Sequence, residues 1–315
     1  MKAYISDLKE GFPVDSLFSV KYKRGVISYQ NGWRFAFGAS DKTGEIEVSF
    51  WGGRDRDSVQ KAHDSFKEGD VVHVIGFVSV YKDKAKIDVN EGKGSISRAT
   101  SFDLEDFLPE SEKDLDGLYS ELLAMVDSVR EPGLKSLLDA FFRDEKLAAE
   151  FRRAPGAMYL HHAWLGGLLE HTVSVARIAR EAAKCCGADV DLVTAGALLH
   201  DVGKMRELEV STNIKIGEEG MLRGHTVLGE EMAREKARGV GLDEKLLLKL
   251  SHVILSHMGE MENGAPKKPM FVEAVIVHYS DELDTRASQF AKIRRETTTE
   301  DFRVYERHVG EVYLK

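Results

Sequence analysis

The chain has 315 residues, of which 43% are hydrophobic and 31% charged, a composition typical of a globular protein with a buried core. No run of about 18 apolar residues is present, so no membrane-spanning helix is expected. The net charge is −9, but the first 100 residues are close to neutral and locally basic, so charge neither excludes nor favours a polynucleotide partner. Cys185 and Cys186 are adjacent, and the N-terminus lacks an apolar stretch, so we expect a cytoplasmic protein without disulfides.

Residues 14 to about 100 have the patterns of β-strands. Ile46, Val48 and Phe50 alternate with polar residues after a hairpin turn, and further strands are predicted at 72–81 and 86–89. One short helix is predicted between them, at 57–68. This order of elements is that of a small five-stranded barrel, the OB-fold, which we assign to residues 1–100.

Aromatic side chains of this barrel are candidates for stacking on nucleobases, as OB-folds that bind single strands use aromatic residues and a basic groove. Phe35 and Phe37 are expected to fill the barrel instead. Trp51 follows Glu47 and Ser49 on the polar face of its strand, and is therefore the candidate for an exposed stacking surface.

The second part of the chain is predicted to be helical. Residues 101–113 are acidic, contain a proline and are interpreted as a linker. From residue 114 to residue 315, apolar residues recur at helical spacing, as in Leu118, Leu122 and Met125. The predicted fold class is therefore a multidomain α+β protein, with an N-terminal β-barrel followed by an all-α domain.

A histidine and an aspartate, His200-Asp201, lie at the end of an apolar helical run in the segment ALLHDVGK, where Gly203 is expected to end the helix. Alone, the pair can be explained as a buried hydrogen-bonded couple. However, His171 falls on the apolar stripe of the preceding helix, and Asp281 ends another apolar helix. A buried polar group requires a partner, and a metal ion would be one.

Together, His171, His200, Asp201 and Asp281 form a mixed nitrogen and oxygen ligand set that suits Mn²⁺, Fe²⁺, Zn²⁺ or Mg²⁺. The absence of a thiolate argues against a structural zinc site. His225 opens one predicted helix and His257 ends another, so with Asp201 as a bridge they could hold a second ion. Two ions a few ångströms apart can clamp both oxygens of a phosphoryl transfer.

The pattern His171…His200-Asp201…Asp281 resembles the HD superfamily of metal-dependent phosphohydrolases. Longer strings resemble the YhaM-type 3′→5′ exoribonucleases, which place an OB-fold before the HD domain. These strings are HHAWLGGLLEHTVSVARIA, AGALLHDVGKMREL, GHTVLGEEM, ILSHMGE and EAVIVHYSDELDTR.

The resemblance implies removal of nucleotides from the 3′ end of single-stranded RNA, with single-stranded DNA as a second polymer, and release of nucleoside 5′-monophosphates. It implies one or two divalent ions, Mn²⁺ first, with Fe²⁺, Zn²⁺, Mg²⁺ or Co²⁺ as alternatives. Asp201 and Lys204 would be catalytic, with Lys204 facing the scissile phosphate, and Asp281 is preferred to Asp284 as a ligand. Further substrate contacts are expected at His161, His162, Arg223 and Arg286.

One position departs from the expected pattern. The family string is expected to read SHHGE, whereas this chain has Ser256-His257-Met258-Gly259-Glu260. Methionine is a poor ligand for a hard ion, which leaves the occupancy of the second site open.

Two other functions remain open at this stage. One is a nucleotidase or cyclic-nucleotide phosphodiesterase in which the barrel is a docking or regulatory module. The other is an RNA-binding adaptor with an inactive HD domain, against which the complete ligand set argues. The helical domain could also form a homo-oligomer, although the sequence carries no interface signature.

Overall fold

The computed structural model describes residues 3–81, 84–158, 162–307 and 309–315. Its contacts divide the chain into two compact units. The first contains residues up to Pro109 together with Val210–Asn213, and the second contains Glu110–Glu209 and Ile214–Lys315.

The first unit is a closed β-barrel. Strand β1 pairs antiparallel with β2 through its second half and with β4 through its first half, and β3 pairs parallel with β5, which closes the sheet on itself. The predicted five-stranded barrel is confirmed, and a sixth strand extends it beside β4. The elements are β1 (Pro13–Tyr29), β2 (Gly32–Asp41), β3 (Gly44–Trp51), α1 (Arg56–Asp64), β4 (Val71–Tyr81), β5 (Lys84–Asn90) and β6 (Ser95–Arg98).

The barrel has its own hydrophobic core, built from the inward-facing residues of each strand. Phe35 and Phe37 are buried in it, as predicted, and Phe35 stacks on Phe50 with ring centroids 5.0 Å apart. Phe66 of the segment after α1 packs edge-on against Phe37 and closes one end of the core.

The second unit is a helical domain. The sequence did not predict its short hairpin β9–β10 or the hairpin β7–β8, whose turn is counted with the first unit. From residue 115 onward, the elements in chain order are α2 (Leu115–Ser128), α3 (Pro132–Phe142), α4 (Glu145–Arg153), α5 (Gly167–Cys186), α6 (Val190–Leu199), α7 (Lys204–Glu207), β7 (Leu208–Val210), β8 (Ile214–Ile216), α8 (Glu218–Val240), α9 (Glu244–Ser256), α10 (Val272–Glu296), β9 (Arg303–Glu306) and β10 (Gly310–Tyr313).

Five helices of this unit, α5, α6, α8, α9 and α10, pack against one another. Helix α5 packs against α6 and α10, and α9 packs against α6, α8 and α10. Asp189 caps α6 by accepting hydrogen bonds from the amides of Asp191 and Leu192. Helix α8 is interrupted at Gly224, whose φ of 72° is not helical, so His225 opens a second helical segment as predicted.

Candidate metal centre

Two histidines sit directly after the last residue of a helix. His200 follows α6 and donates its Nδ1 proton to the carbonyl oxygen of Ala197 at 2.8 Å, and His257 follows α9 and donates to Ile254 at 2.7 Å. Because a carbonyl oxygen only accepts, Nδ1 must carry the proton, and Nε2 of each ring keeps its lone pair. These carbonyls belong to the last turn of a helix, where some have no partner within the helix.

Carboxylates hold the other two histidines in the same tautomer. Nδ1 of His171, on α5, donates to Asp284 Oδ2 at 2.8 Å. Nδ1 of His225 lies 3.1 Å from Glu207 Oε1, which also accepts the backbone amide of His225 at 3.0 Å. All four rings are therefore oriented through Nδ1, with Nε2 available for a ligand.

The four Nε2 atoms converge on Asp201. Its Oδ2 lies 3.3 Å from Nε2 of His171 and 3.4 Å from Nε2 of His200. Its Oδ1 lies 3.5 Å from Nε2 of both His225 and His257. Each carboxylate oxygen thus faces one pair of imidazoles, which is the arrangement expected of a ligand that bridges two ions. Asp281 contributes Oδ1 to the first pair, 3.2 Å from His171 Nε2.

These residues fit divalent ions. The Nε2 atoms of His171 and His200 lie only 3.3 Å apart, although both are acceptors in the tautomers that their Nδ1 contacts fix. Among the described residues, Oδ1 of Asp201 and the Nε2 atoms of His225 and His257 find no hydrogen-bond partner, although all are buried. Buried acceptors without partners are costly, and a cation on each side of Asp201 would satisfy them. His171, His200 and Asp201 form one candidate metal cluster, and Asp201, His225 and His257 form another.

Burial and charge act in opposite directions at this centre. Burial raises the pKa of Asp201, but the positive charges of Lys204 and His200 lower it by more, so the pKa lies well below its usual range. Burial also raises the pKa of Asp281, and His171 and His200 lower it below its usual range. Both carboxylates are therefore ionised at neutral pH and ready to coordinate a cation. Lys204 places its Nζ 2.6 Å from Asp201 Oδ2.

A cleft of about 430 Å³ opens onto the two clusters. Lys204, predicted to be catalytic, and Arg286, predicted to contact substrate, both line it, and Arg286 also pairs with Glu282 at 2.7 Å. Met258 lines it as well, beside His257. The sequence interpretation missed His278 as a cleft residue; its Nδ1 donates to the carbonyl of His257 at 2.7 Å. Its position three residues before Asp281, on one face of α10, is the signal that could have found it.

Two other predicted substrate contacts, Arg223 and His162, are placed differently. Arg223 pairs with Glu219 and Glu231, each at 2.9 Å, and does not line the cleft. His162 is only 2% exposed, and its Nε2 lies 3.2 Å from Asp284 behind the metal centre. His161 lies outside the described residues.

The role of Gly203 also differs from the expectation that it ends the helix of His200. Helix α6 already ends at Leu199, and Gly203 has an ordinary helical φ of −63°. A Cβ atom at Gly203 would lie 2.5 Å from the amide nitrogen of Gly229 and closer still to the carbonyl oxygen of His225. Gly203 therefore permits the close approach of the HD segment to α8, which brings His225 to Asp201.

A second, larger cleft of about 710 Å³ lies on the barrel unit. Trp51 lines it half-buried, with its indole N–H donating to Asp88 at 2.7 Å. Arg34 and Lys86 lie 5.0 and 5.1 Å from the ring centroid of Trp51. Tyr81, 63% exposed, also lines this cleft. Arg34, which the sequence interpretation missed, gives the cleft one of its cations.

Comparison with known proteins agrees with both units. Residues 168–286, which include every ligand candidate named above, match the HD domain family, and residues 29–93 match a family described as an OB-fold nucleic acid binding domain. The 3′-5′ exoribonuclease YhaM of Bacillus subtilis is 30% identical over 279 residues, which are 88% of this chain and 86% of that protein. The chain belongs to the YhaM family.

Other members of the YhaM family match over similar lengths. The 3′-5′ exoribonuclease YhaM of Halalkalibacterium halodurans is 29% identical over 88% of this chain and 84% of its own. That of Listeria monocytogenes is 28% identical over 96% of this chain and 94% of its own.

These matches confirm the family resemblance and the fold class predicted from the sequence, a barrel followed by a helical HD domain. The HD domain and its buried histidine–aspartate clusters make the chain a divalent metal protein. Within the part of the chain that the structure describes, no helix is both long and apolar enough to cross a membrane.

Proposed function

We propose that this chain is a metal-dependent 3′→5′ exoribonuclease that shortens single-stranded RNA and releases nucleoside 5′-monophosphates, with Mn²⁺ as its ion. The observation that carries the proposal is the position of Asp201, whose two oxygens each face a separate pair of Nε2 atoms. Membership of the YhaM family and the HD domain support the reaction class.

Divalent ions bound at the two clusters would polarise the phosphoryl oxygens and lower the pKa of water. The chain supplies the rest of the chemistry. Asp201 and Asp281 fix the positions of the positive charges, and Lys204, at the cleft wall, adds a cation where charge develops on the phosphate. Water adds to the phosphorus and the P–O3′ bond breaks. The shortened chain therefore keeps a 3′-hydroxyl, and the terminal nucleotide leaves with its 5′-phosphate.

The barrel cleft is the proposed surface for the single strand. Trp51 and Tyr81 offer aromatic rings, and Arg34 and Lys86 offer cations for the backbone, the combination that non-specific single-strand binding uses. Tyr81 is 63% exposed whereas Trp51 is half-buried, so Tyr81 is the more exposed candidate for stacking on a base.

The deciding experiment follows a 5′-labelled single-stranded RNA on a gel after addition of Mn²⁺. We expect a ladder that shortens from the 3′ end, with nucleoside 5′-monophosphates as products. The Asp201→Asn variant is expected to lose this activity, because it removes a negative charge shared by both clusters. Unchanged RNA alongside rapid hydrolysis of free nucleotides would overturn the proposal in favour of a nucleotidase.

A double variant tests the role of the barrel. Arg34→Ala with Lys86→Ala should slow cleavage of long RNA but leave hydrolysis of a small chromogenic phosphodiester unchanged, since only the polymer reaches the barrel cleft. Lys9→Ala with Lys93→Ala removes the same charge from exposed positions outside the cleft and serves as the control. If both double variants cleaved long RNA at the same rate, the barrel cleft would not take part in binding the substrate.

A further inference from the structure

A buried row of charged and polar side chains extends from the metal centre away from the cleft. It begins at Asp284, which is 6% exposed. Its Oδ2 accepts the Nδ1 proton of His171 at 2.8 Å and lies 3.2 Å from Nε2 of His162. Its other oxygen accepts a hydrogen bond from the hydroxyl of Ser174. Because both oxygens are engaged, the carboxylate cannot rotate without losing a contact.

The row continues from His162 to Glu170. Nδ1 of His162 lies 3.8 Å from Oε1 of Glu170, whose side chain is 8% exposed. Three groups hold this carboxylate in turn: the Ser111 hydroxyl at 2.8 Å, the Trp164 indole N–H at 3.2 Å and the Lys113 ammonium at 2.7 Å. Ser111 and Lys113 belong to the segment interpreted from the sequence as a linker, so this segment forms the far end of the row.

The backbone fixes His162 as firmly as its side-chain contacts do. Its φ is +52°, an uncommon conformation for a residue other than glycine. The amide of Gly156 donates to its carbonyl oxygen at 2.9 Å, and a Cβ at Gly156 would lie 2.8 Å from the Cβ of His162. Strained backbone of this kind persists where the surroundings over-determine it, and such sites cluster at functional centres.

We propose that Asp284, His162 and Glu170 are positioning residues that hold the His171 ring with Nε2 toward Asp201 and thereby set the metal affinity of the first cluster. Lys113 and Ser111 anchor the end of the row. The proposal rests on the metal centre of the proposed function and assigns new roles within it. His162 is thus a support of the metal site, behind the cleft rather than in contact with substrate.

Asp284 and His171 form the first part of a carboxylate–histidine–metal arrangement, and His162 and Glu170 extend it by two residues. A carboxylate on the far nitrogen of a ligand histidine fixes its tautomer and raises its basicity, and its loss typically weakens metal binding about 10–100-fold. Here the carboxylate is itself held by a second imidazole, whose Nδ1 faces the carboxylate of Glu170 across 3.8 Å. A change at Glu170 therefore reaches His171 only through His162 and Asp284.

The test measures Mn²⁺ binding to the full chain by titration with electron paramagnetic resonance of the unbound ion. Asp284→Asn should weaken one of the two binding events about 10–100-fold and leave the other close to its original affinity. Glu170→Gln should weaken the same event by a smaller factor. Glu181→Gln is the matched control, because Glu181 also lies on α5 but is 73% exposed and pairs with Lys184 at the surface.

A second readout reports the tautomer directly. In protein with ¹⁵N-labelled histidine, long-range proton–nitrogen correlations of the metal-free sample at high pH, where the ring is neutral, should show the His171 proton on Nδ1. Asp284→Asn should mix the two tautomers, an effect that a merely structural role would not produce. Glu170→Gln provides the decisive variant if Asp284→Asn does not fold.

The outcomes separate the two proposals. A wild-type chain that binds no Mn²⁺ would overturn the proposed function itself. A wild-type chain that binds two ions, together with a folded Glu170→Gln variant of unchanged affinity and unchanged His171 tautomer, would overturn the positioning role alone.

Discussion

Asp201 is the one carboxylate that faces the histidines of both candidate metal clusters. It is 2% exposed and lies within 3.5 Å of four imidazole nitrogens and of the Lys204 ammonium. A carboxylate in this position is stabilised by the positive charge that surrounds it. The metal-free centre must therefore recruit protons or cations to balance it.

The pH dependence of metal binding follows from His171. Burial lowers its pKa, but Asp201, Asp281 and Asp284 raise it more, to well above the ordinary value of about 6.5. At neutral pH the His171 ring of the metal-free protein therefore carries a second proton, on Nε2. This second proton must leave when an ion binds. Because the folded protein binds this proton more tightly than the unfolded chain does, protonation of His171 stabilises the metal-free fold fully below about pH 6.5. This stabilisation is lost as the pH rises through the pKa of the folded state. The gain in Tm on adding Mn²⁺ should accordingly be larger at about pH 8 than at about pH 6.5.

Thermal unfolding of EDTA-treated and Mn²⁺-loaded protein checks this expectation. The carboxylates do not confuse the comparison, because the pKa values of Asp201, Asp281 and Asp284 are all lowered and these groups stay ionised across the window. A gain in Tm that is the same at both pH values would contradict the assignment of the proton to His171.

Met258 offers a gain-of-function test at the same scale. It lines the cleft beside His257, where a second histidine was expected from the family string. Met258→His should add a nitrogen donor next to the second cluster and tighten binding of the second Mn²⁺, because imidazole is a better ligand than a thioether for this ion. Isothermal titration compares the two proteins, with Met258→Leu as the control that changes shape without adding a donor. Equal affinity of all three proteins would show that position 258 does not reach the ion.

The ligand candidates could be proposed from sequence because they are polar residues on apolar helix faces. The arrangement behind them could not. His171 contacts Asp284 across 113 residues of chain, and His162 contacts it across 122 residues. No local periodicity encodes such distant pairs. The fixed tautomer of His200 and His257 similarly depends on a backbone carbonyl, which every residue possesses and which carries no sequence signal.

At the scale of elements, the site is built mainly at helix ends. His200 and His257 follow the last residues of α6 and α9, and His225 opens the second segment of α8 after the break at Gly224. Helix ends suit this purpose because a side chain there can turn across the helix axis. Only His171, Asp281 and Asp284 lie within regular helix.

Gly203→Ala tests the close approach of two of these elements. The added Cβ would overlap with the backbone of His225 and Gly229, neither of which can move as a flexible side chain would. We expect the free energy of unfolding to fall by about 1–3 kcal/mol or more, and the second Mn²⁺ to bind more weakly. Urea unfolding and metal titration measure the two effects.

Gly239→Ala is the matched control for that substitution. Gly239 lies in α8, and no atom comes within 4 Å of a Cβ placed there. Alanine should raise the free energy of unfolding by about 0.5–1 kcal/mol, because it restricts the unfolded chain without a clash. If Gly239→Ala lowered the free energy of unfolding as much as Gly203→Ala does, the loss at Gly203 could not be assigned to its backbone contacts.

Long and short strands of this chain differed in how well the sequence predicted them. The alternation around Ile46 identified β3, and the predicted strand at 72–81 is β4, within one residue. The hairpins β7–β8 and β9–β10 were missed, since strands of three or four residues are too short to show a period.

At the scale of the whole molecule, the barrel and the helical unit each have a separate hydrophobic core. Every metal ligand candidate belongs to the helical unit. Removing the ions with EDTA should therefore lower the unfolding temperature of the helical unit and leave that of the barrel nearly unchanged, because ligands stabilise only the part that binds them. Scanning calorimetry with and without Mn²⁺ should resolve two transitions of unequal metal dependence. One transition that shifts as a whole would show that the two units unfold together.

The ligands of the first cluster extend along the chain from His171 to Asp281. During synthesis, the barrel with its basic cleft is complete long before Asp281 has left the ribosome. A growing chain can therefore complete the fold of its barrel while its metal centre still lacks a carboxylate.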